Sequence, residues 1–287
     1  MFVILGSLVV IGAVLTGFTM SGGQVAALIH PSEFITIGGA AFGAMITMSP
    51  KKVIVDLFKG LIAILKPSPF GKPAYIDLFK LLYSLSQIVR RDGLLALDSH
   101  LTSPHESPLF NKYPRLANNH HILDFIVGAL GMLSDGKLTS DQLKAALETE
   151  VGVMETEHHA AVGALSKTAD ALPGFGIVAA VLGIVITMGA INGPAEEIGH
   201  KVGTALVGTF LGILMSYGFF GPMAGRMEFQ GIEEMTFFRT IIIAVVALNE
   251  GATPRDMIMQ ARRGIGTEVR PTLEELEQVF KEASADT

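Results

Sequence analysis

Cysteine is absent from the 287 residues, which removes a disulfide framework, a thiolate metal site and a cysteine nucleophile at once. Charge is scarce too: 17% of residues are Asp, Glu, Lys or Arg against 49% hydrophobic, and the mean hydropathy is positive. That balance belongs to membrane proteins rather than soluble ones. With a net charge of −6 and no Lys/Arg-rich run, the chain lacks a face able to neutralise phosphate, so no nucleic-acid partner is expected. Catalytic signatures are missing as well. There is no G-x-S-x-G, P-loop or paired-carboxylate pattern, so neither an enzyme activity nor a cofactor is expected. "GFGIVA" (174–179) fits G-x-G-x-x-A, but it lies inside an apolar run with no strand before it, so the match is accidental. His120-His121 and His158-His159, with Glu155 and Glu157 nearby, lack the HExxH or Glu-x-x-His spacing of a metal site. They read as solvated helix surface, and no metal is expected.

What is present is apolar length. Residues 1–29, 34–50, 172–195 and 202–225 contain no Asp, Glu, Lys, Arg or His, and each is long enough, or nearly so, to cross roughly 30 Å of hydrocarbon as a helix. The first has no basic n-region and no small-residue cleavage site, so it is a retained span and not a signal peptide. The second is the shortest and is weakened by Gly38, Gly39, Gly43 and Pro50. A further run, Thr240–Asn249, is too short to span and suits a buried or interfacial helix. The loops 21–33 and 193–201 hold a single basic residue, Lys201, whereas 51–171 holds thirteen and 226–287 holds seven. The bias of Lys and Arg toward the cytoplasm therefore puts both termini and the large loop inside. The expected organisation is a first hairpin (1–50), a helical cytoplasmic domain (51–171), a second hairpin (172–225) and a helical cytoplasmic tail (226–287). The fold class is an all-α integral membrane protein with four transmembrane helices.

The polar segments carry helical periodicity. Ile76, Leu78, Phe79, Leu81, Leu82, Leu85, Ile88 and Val89 recur at helix spacing up to Arg90-Arg91, where Gly93 interrupts. Ile122, Phe125, Ile126, Leu130 and Leu133 mark another helix, ended by Ser134-Asp135-Gly136. Thr139-Ser140-Asp141-Gln142 is a capping box, and beyond it nothing but single glycines breaks the pattern up to Leu172, so one helix is predicted to run on into the third span. Thr253-Pro254 reads as an N-cap with proline at N1. Thr272-Leu273-Glu274-Glu275 opens a last amphipathic helix with Leu273, Leu276, Val279 and Phe280 on one side.

Small residues at four-residue spacing stud the spans: Ala13-Gly17, Gly39-Gly43, Gly176-Ala180, Ala179-Gly183 and Gly208-Gly212. They serve either packing within the bundle or packing against another chain. An ion path normally needs an ionisable group in the membrane, yet the spans offer only Thr187, Thr204, Thr209, Ser216, Tyr217 and backbone carbonyls. Any titrating carboxylate would have to come from a partner. Pro173 and Pro222 lie near the cytoplasmic ends of the third and fourth spans, where each is a passive bend or a hinge. Arg90-Arg91-Asp92 and Asp98 form the tightest charge cluster of the large loop, either a solvated face or a docking site for a charged partner.

Five stretches resemble a known family: "GGQVAALIHPSEF" (22–34), "YIDLFKLLYSLSQIVRRDGLLALD" (75–98), "DALPGFGIVAAVLGIV" (170–185), "LVGTFLGILMSYGFFGP" (206–222) and "RPTLEELE" (270–277). Together they are similar, in order and spacing, to the A subunit of the flagellar motor stator, MotA. The resemblance implies a bacterial inner-membrane protein that forms a ring, thought to be pentameric, around two single-span MotB-like B subunits. The B subunits would carry the membrane aspartate that these spans lack. It further implies that Thr209 and Ala180 lie near the ion path, that Pro173 and Pro222 couple protonation to movement, and that Arg90 faces the rotor protein FliG, with Arg91 a further candidate. The acidic rotor-facing position, usually Glu in the family, is Asp98 here, one methylene shorter. "LIHPSEF" is like proton-driven members. Membrane lipid is an implied surround. The alternatives are an ExbB/TolQ-like proton-channel subunit, which usually has three spans, so that the extra hairpin 1–50 counts against it, and a self-sufficient channel or transporter.

Overall fold

A computed structural model describes residues 2–189 and 191–285. Met1 of the first predicted span, Ala190 of the third, and Asp286 and Thr287 of the tail lie outside the described residues. Every regular element among them is a helix. In chain order these are α1 (Phe2–Met20), α2 (Pro31–Met48), α3 (Lys51–Ala63), α4 (Lys72–Asp92), the one-turn helices α5 (Asp98–Leu101), α6 (Pro108–Asn111) and α7 (Pro114–Ala117), then α8 (His120–Ser134), α9 (Ser140–Met188), α10 (Ala195–Met215), α11 (Gly221–Asn249), α12 (Pro254–Arg263) and α13 (Leu273–Ala285). Four helical segments are long and apolar enough to cross a membrane: Phe2–Met20, Val25–Met48, and stretches within Ser140–Met188 and Ala195–Asn249.

The chain forms two compact units. One comprises the chain up to Pro67 together with Glu157–Gln230. At 1.5 Å per residue the 19 residues of α1 reach about 28 Å, close to the hydrocarbon thickness, and none of them is buried. The second span begins earlier than its uncharged run suggests. Pro31 occupies the first helical position, where its fixed φ favours the helix and its missing N–H costs nothing, and this draws Ser32 and Glu33 into α2. Its buried residues are Glu33, Ile37, Ala41 and Met45, a strict i, i+4 stripe. Ile37 and Ala41 pack with Leu172, Ala179, Val207 and Leu211, while Met45 joins Leu57, Leu165, Ala224 and Met227 in a second cluster.

The other unit comprises Ser68–Thr156 and the chain from Gly231 onward. Its core is the apolar face of α4 (Leu78, Phe79, Leu82, Leu85) with α8 (Ile122, Phe125, Ile126, Leu130) and the end of α11 (Phe237, Phe238, Ile241, Val245). The short apolar run 240–249 is thus buried in a soluble-type core, as its length suggests. Tilted aromatic pairs, Tyr75 with Phe237 at 5.0 Å and Phe125 with Phe238 at 4.8 Å, tie the elements together.

The punctuation follows the sequence. Gly93 stops α4 with φ +87° and Gly136 closes α8 with φ +63°, conformations open to glycine. Thr139 Oγ1 accepts from the Gln142 N–H at 3.3 Å while Gln142 Oε1 accepts from the Thr139 N–H at 3.0 Å. The same reciprocal pair forms between Thr272 and Glu275, and Thr253 caps α12 through the Asp256 N–H. α9 continues without a break from its capping box to Met188. On α13, Leu276, Val279 and Phe280 are buried, but Leu273 is 55% exposed. It follows the cap too closely to reach the core face.

Candidate functional site

In the first unit α9 and α10 approach closely, and glycine makes it possible. A Cβ added at Gly212 would lie 2.6 Å from the Leu172 carbonyl oxygen and 2.9 Å from Gly176 Cα. One at Gly176 would lie 2.9 Å from the Gly208 carbonyl oxygen, and one at Gly183 would be 2.7 Å from Ala205 Cβ. Backbone meets backbone at Gly176 and Gly212 and alanine methyl groups fill the stripe elsewhere, the geometry that small residues four apart allow. The pairs Gly176-Ala180, Ala179-Gly183 and Gly208-Gly212 are therefore occupied within the chain. At Gly17, Gly39 and Gly43, by contrast, nothing lies within 4 Å of an added Cβ, so those faces stay open.

This contact gathers several of the residues singled out from the sequence. Thr209 Cα is 3.3 Å from the Cβ position of Gly176, and the Ala180 nitrogen is 3.3 Å from that of Gly208. Pro173 follows the Leu172 carbonyl that rests on Gly212, so the proline sits next to a close approach of α9 and α10. Pro222 stands in the first turn of α11, directly after a π-helical turn, Ser216–Phe220. There the Gly221 N–H reaches back five residues to the Ser216 carbonyl. The widened turn absorbs the ring that would otherwise clash with the preceding turn. Periodicity alone gives no sign of that turn.

The polar inventory of the spans needs one correction. Thr187 and Thr204 spend their hydroxyls on their own helix, donating to Gly183 at 2.8 Å and His200 at 3.0 Å, and Tyr217 is 71% exposed. The uncharged wall expected from the sequence, however, contains a carboxyl group. Glu33 is only 7% exposed and its Oε2 has no hydrogen-bond partner. A Cβ on Gly208 would lie 2.7 Å from that oxygen. Counting ionisable residues by uncharged runs left Glu33 one residue outside the second span. The signal that finds it is the stripe Glu33-Ile37-Ala41-Met45, which turns the glutamate inward with its apolar neighbours.

In the second unit, Arg90 and Arg91 close α4 beside an open depression lined by Tyr83, Gln87 and Pro254. The two arginines differ in their surroundings. Arg91 pairs with Asp92 at 2.9 Å, and that hydrogen bond holds its guanidinium above the ordinary arginine value. No ion-pair partner of Arg90 is found among the described residues. Asp98 opens α5 and accepts a hydrogen bond from the Ser134 hydroxyl at 2.7 Å, which fixes its direction on an exposed surface. The histidine pairs are less idle than a solvated surface. His158 Nε2 donates to the Met227 carbonyl at 2.9 Å and His121 lies 3.6 Å from Glu234. Glu155 pairs with Arg239 at 2.7 Å, and Glu157 pairs with Lys52. Among the described residues no group of three His, Asp or Glu is placed to hold a metal ion.

Residues 4–93 match the family "Motility protein A N-terminal", and residues 117–238 match the "MotA/TolQ/ExbB proton channel family". Motility protein A of Salmonella typhimurium is 35% identical over 278 residues, covering 97% of this chain and 94% of the relative. The chain belongs to the motility protein A family. Among solved structures, C. jejuni MotAB superposes with a TM-score of 0.77 at 25% identity, covering 94% of this chain and 98% of that one. The flagellar MotAB stator complex from Bacillus subtilis shares the fold, with a TM-score of 0.71 at 22% identity over 96% and 98% of the two chains. As a motility protein A, the chain is an all-α, multi-pass membrane protein of the proton-channel type.

Proposed function

We infer that the chain is the A subunit of a bacterial flagellar motor stator, converting ion flow into torque together with a single-span B subunit. The observation that carries this is likeness to a motility protein A along nearly the whole chain, with four membrane-capable helices in the expected order. In this reading five copies form a ring around two MotB-like subunits, set in lipid, with both termini and the large loop cytoplasmic. The B subunit's aspartate alternately binds and loses a proton. Its contact with the inner wall changes with charge, because an ionised and a neutral carboxyl have different free energies against the same apolar surface. Thr209 and Ala180 line the path on that wall. Pro173 and the Pro222 turn absorb the helix movement, and Arg90 and Asp98 transmit it to charges on the rotor protein FliG.

A partner requirement separates this function from a self-sufficient channel. Purified and reconstituted in vesicles, the chain alone should carry no proton current, and co-expression with the single-span partner should give a complex in which subunit counting finds five copies to two. Ion-driven current from the chain alone would remove the reading.

A further inference from the structure

We propose that Glu33 is a proton-binding site belonging to this chain, on the outer part of the ion path. The proposal rests on the stator reading above but assigns a site to a residue outside it. Glu33 is held in place from three sides. The i, i+4 stripe of α2 directs it inward, its N–H is anchored to the His30 carbonyl at 3.1 Å, and Gly208 leaves the space its Oε2 occupies. That space borders Ala179 and Ala180, 3.1 Å and 3.3 Å from the same Gly208 Cβ position, and Thr209 follows next in the chain. A buried carboxyl oxygen with no donor near it is an incomplete structural feature, since buried polar groups are otherwise matched. Binding a proton relieves the larger cost: carboxylate plus H⁺ becomes carboxylic acid, and the buried negative charge disappears.

The approach from outside is also built. His30, the residue before α2, faces His200 of α10 edge-on with ring centroids 6.4 Å apart. Its Nε2 lies 3.1 Å from the Ala27 carbonyl. A carbonyl can only accept, so Nε2 carries the hydrogen in this contact. The other ionisable groups at this end are all on α10: Glu196, Glu197 and Lys201, the last two paired with each other at 2.8 Å. From α9, residues 171–188 contribute none. The two imidazoles are the ionisable side chains of this chain that lie on the proposed route to Glu33.

Glu33→Gln keeps size and polarity but cannot ionise, so it isolates the proposal. Cells carrying it should assemble motors, seen as fluorescent stator foci, yet rotate at least twofold more slowly at external pH 8 than the parent, with the gap closing as external pH falls toward 6. The infrared difference spectrum of the complex with its B subunit, titrated over the same range, should lose one protonated-carboxyl band in Glu33→Gln. Unchanged speed across the range, an unchanged spectrum, or a speed deficit relieved by sodium instead of acid would overturn the proton assignment. If Glu33→Gln fails to assemble, the double variant His30→Gln/His200→Gln should reproduce the slowing at high pH, and a flat profile in it would be equally fatal. Deleting the whole chain tests the stator reading separately. Motility surviving deletion defeats that reading, whereas motility lost on deletion but indifferent to Glu33→Gln defeats only this one.

Discussion

At the scale of single residues, neighbouring side chains of the same type have different work open to them. Arg91 is engaged by Asp92, while Arg90, one position earlier, keeps its charge available. If charges on this surface drive the rotor, reversing Arg90 removes a free cation and reversing Arg91 mostly disturbs a local pair. Exposed ion pairs are worth only about 0.2–1 kcal/mol each and act over a Debye length of ~8 Å. We therefore expect Arg90→Glu to cut swimming speed by more than half, most strongly at low ionic strength, and Arg91→Glu to cost less. Opposite reversals on FliG should partly restore the former, and full motility of Arg90→Glu at low ionic strength would contradict the role. Asp98 shows what type and spacing leave out. Its acidity is plain in the sequence, but the Ser134 hydroxyl that aims it comes from another helix, 36 positions away.

At the scale of elements, the α9–α10 contact and the α13 cap lend themselves to measurement. Gly212 faces backbone that cannot yield, 2.6 Å from the Leu172 carbonyl oxygen once a Cβ is added. Overpacking of this kind costs roughly 1–3 kcal/mol or more. Thermal unfolding in detergent should therefore show Gly212→Val clearly destabilised and Gly12→Ala, with nothing within 4 Å, close to the parent. On α13, the Thr272 backbone N–H holds the Glu275 carboxyl below its ordinary value against the opposing effect of burial, with Lys72 adding to the lowering. A depressed folded-state value means that the contribution is present above the ordinary carboxylate pKa and is lost as pH falls through the folded one. The protection of amides 273–285, meaning their exchange rate relative to the intrinsic rate at the same pH, should accordingly fall as pH drops below the ordinary value of 4.5, and Glu275→Gln should weaken that dependence. The caps of α9, α12 and α13 were legible because capping is local chemistry. The π turn before Pro222 was not, since it depends on how the ring's clash is shared with the preceding turn.

At the scale of the whole molecule, the spans, their order and the all-helical class could be read from uncharged runs and periodicity, because lipid imposes one solution on a long apolar segment. The inner stripe could be read only in part. Glycine spacing leaves open whether the partner helix is in the same chain, and α9–α10 answers that for three of the pairs while Gly17, Gly39 and Gly43 remain uncovered. Uncharged runs leave out Glu33, because such a run stops at the first ionisable residue, whereas a helix begins and ends where its capping and its proline dictate.

The first helix has nothing buried inside its own subunit and meets the rest through few side chains, such as Val10 beside Gly218. Such a helix is set by what surrounds the chain more than by its own subunit, whereas the glycine-locked pair α9–α10 carries its spacing within itself.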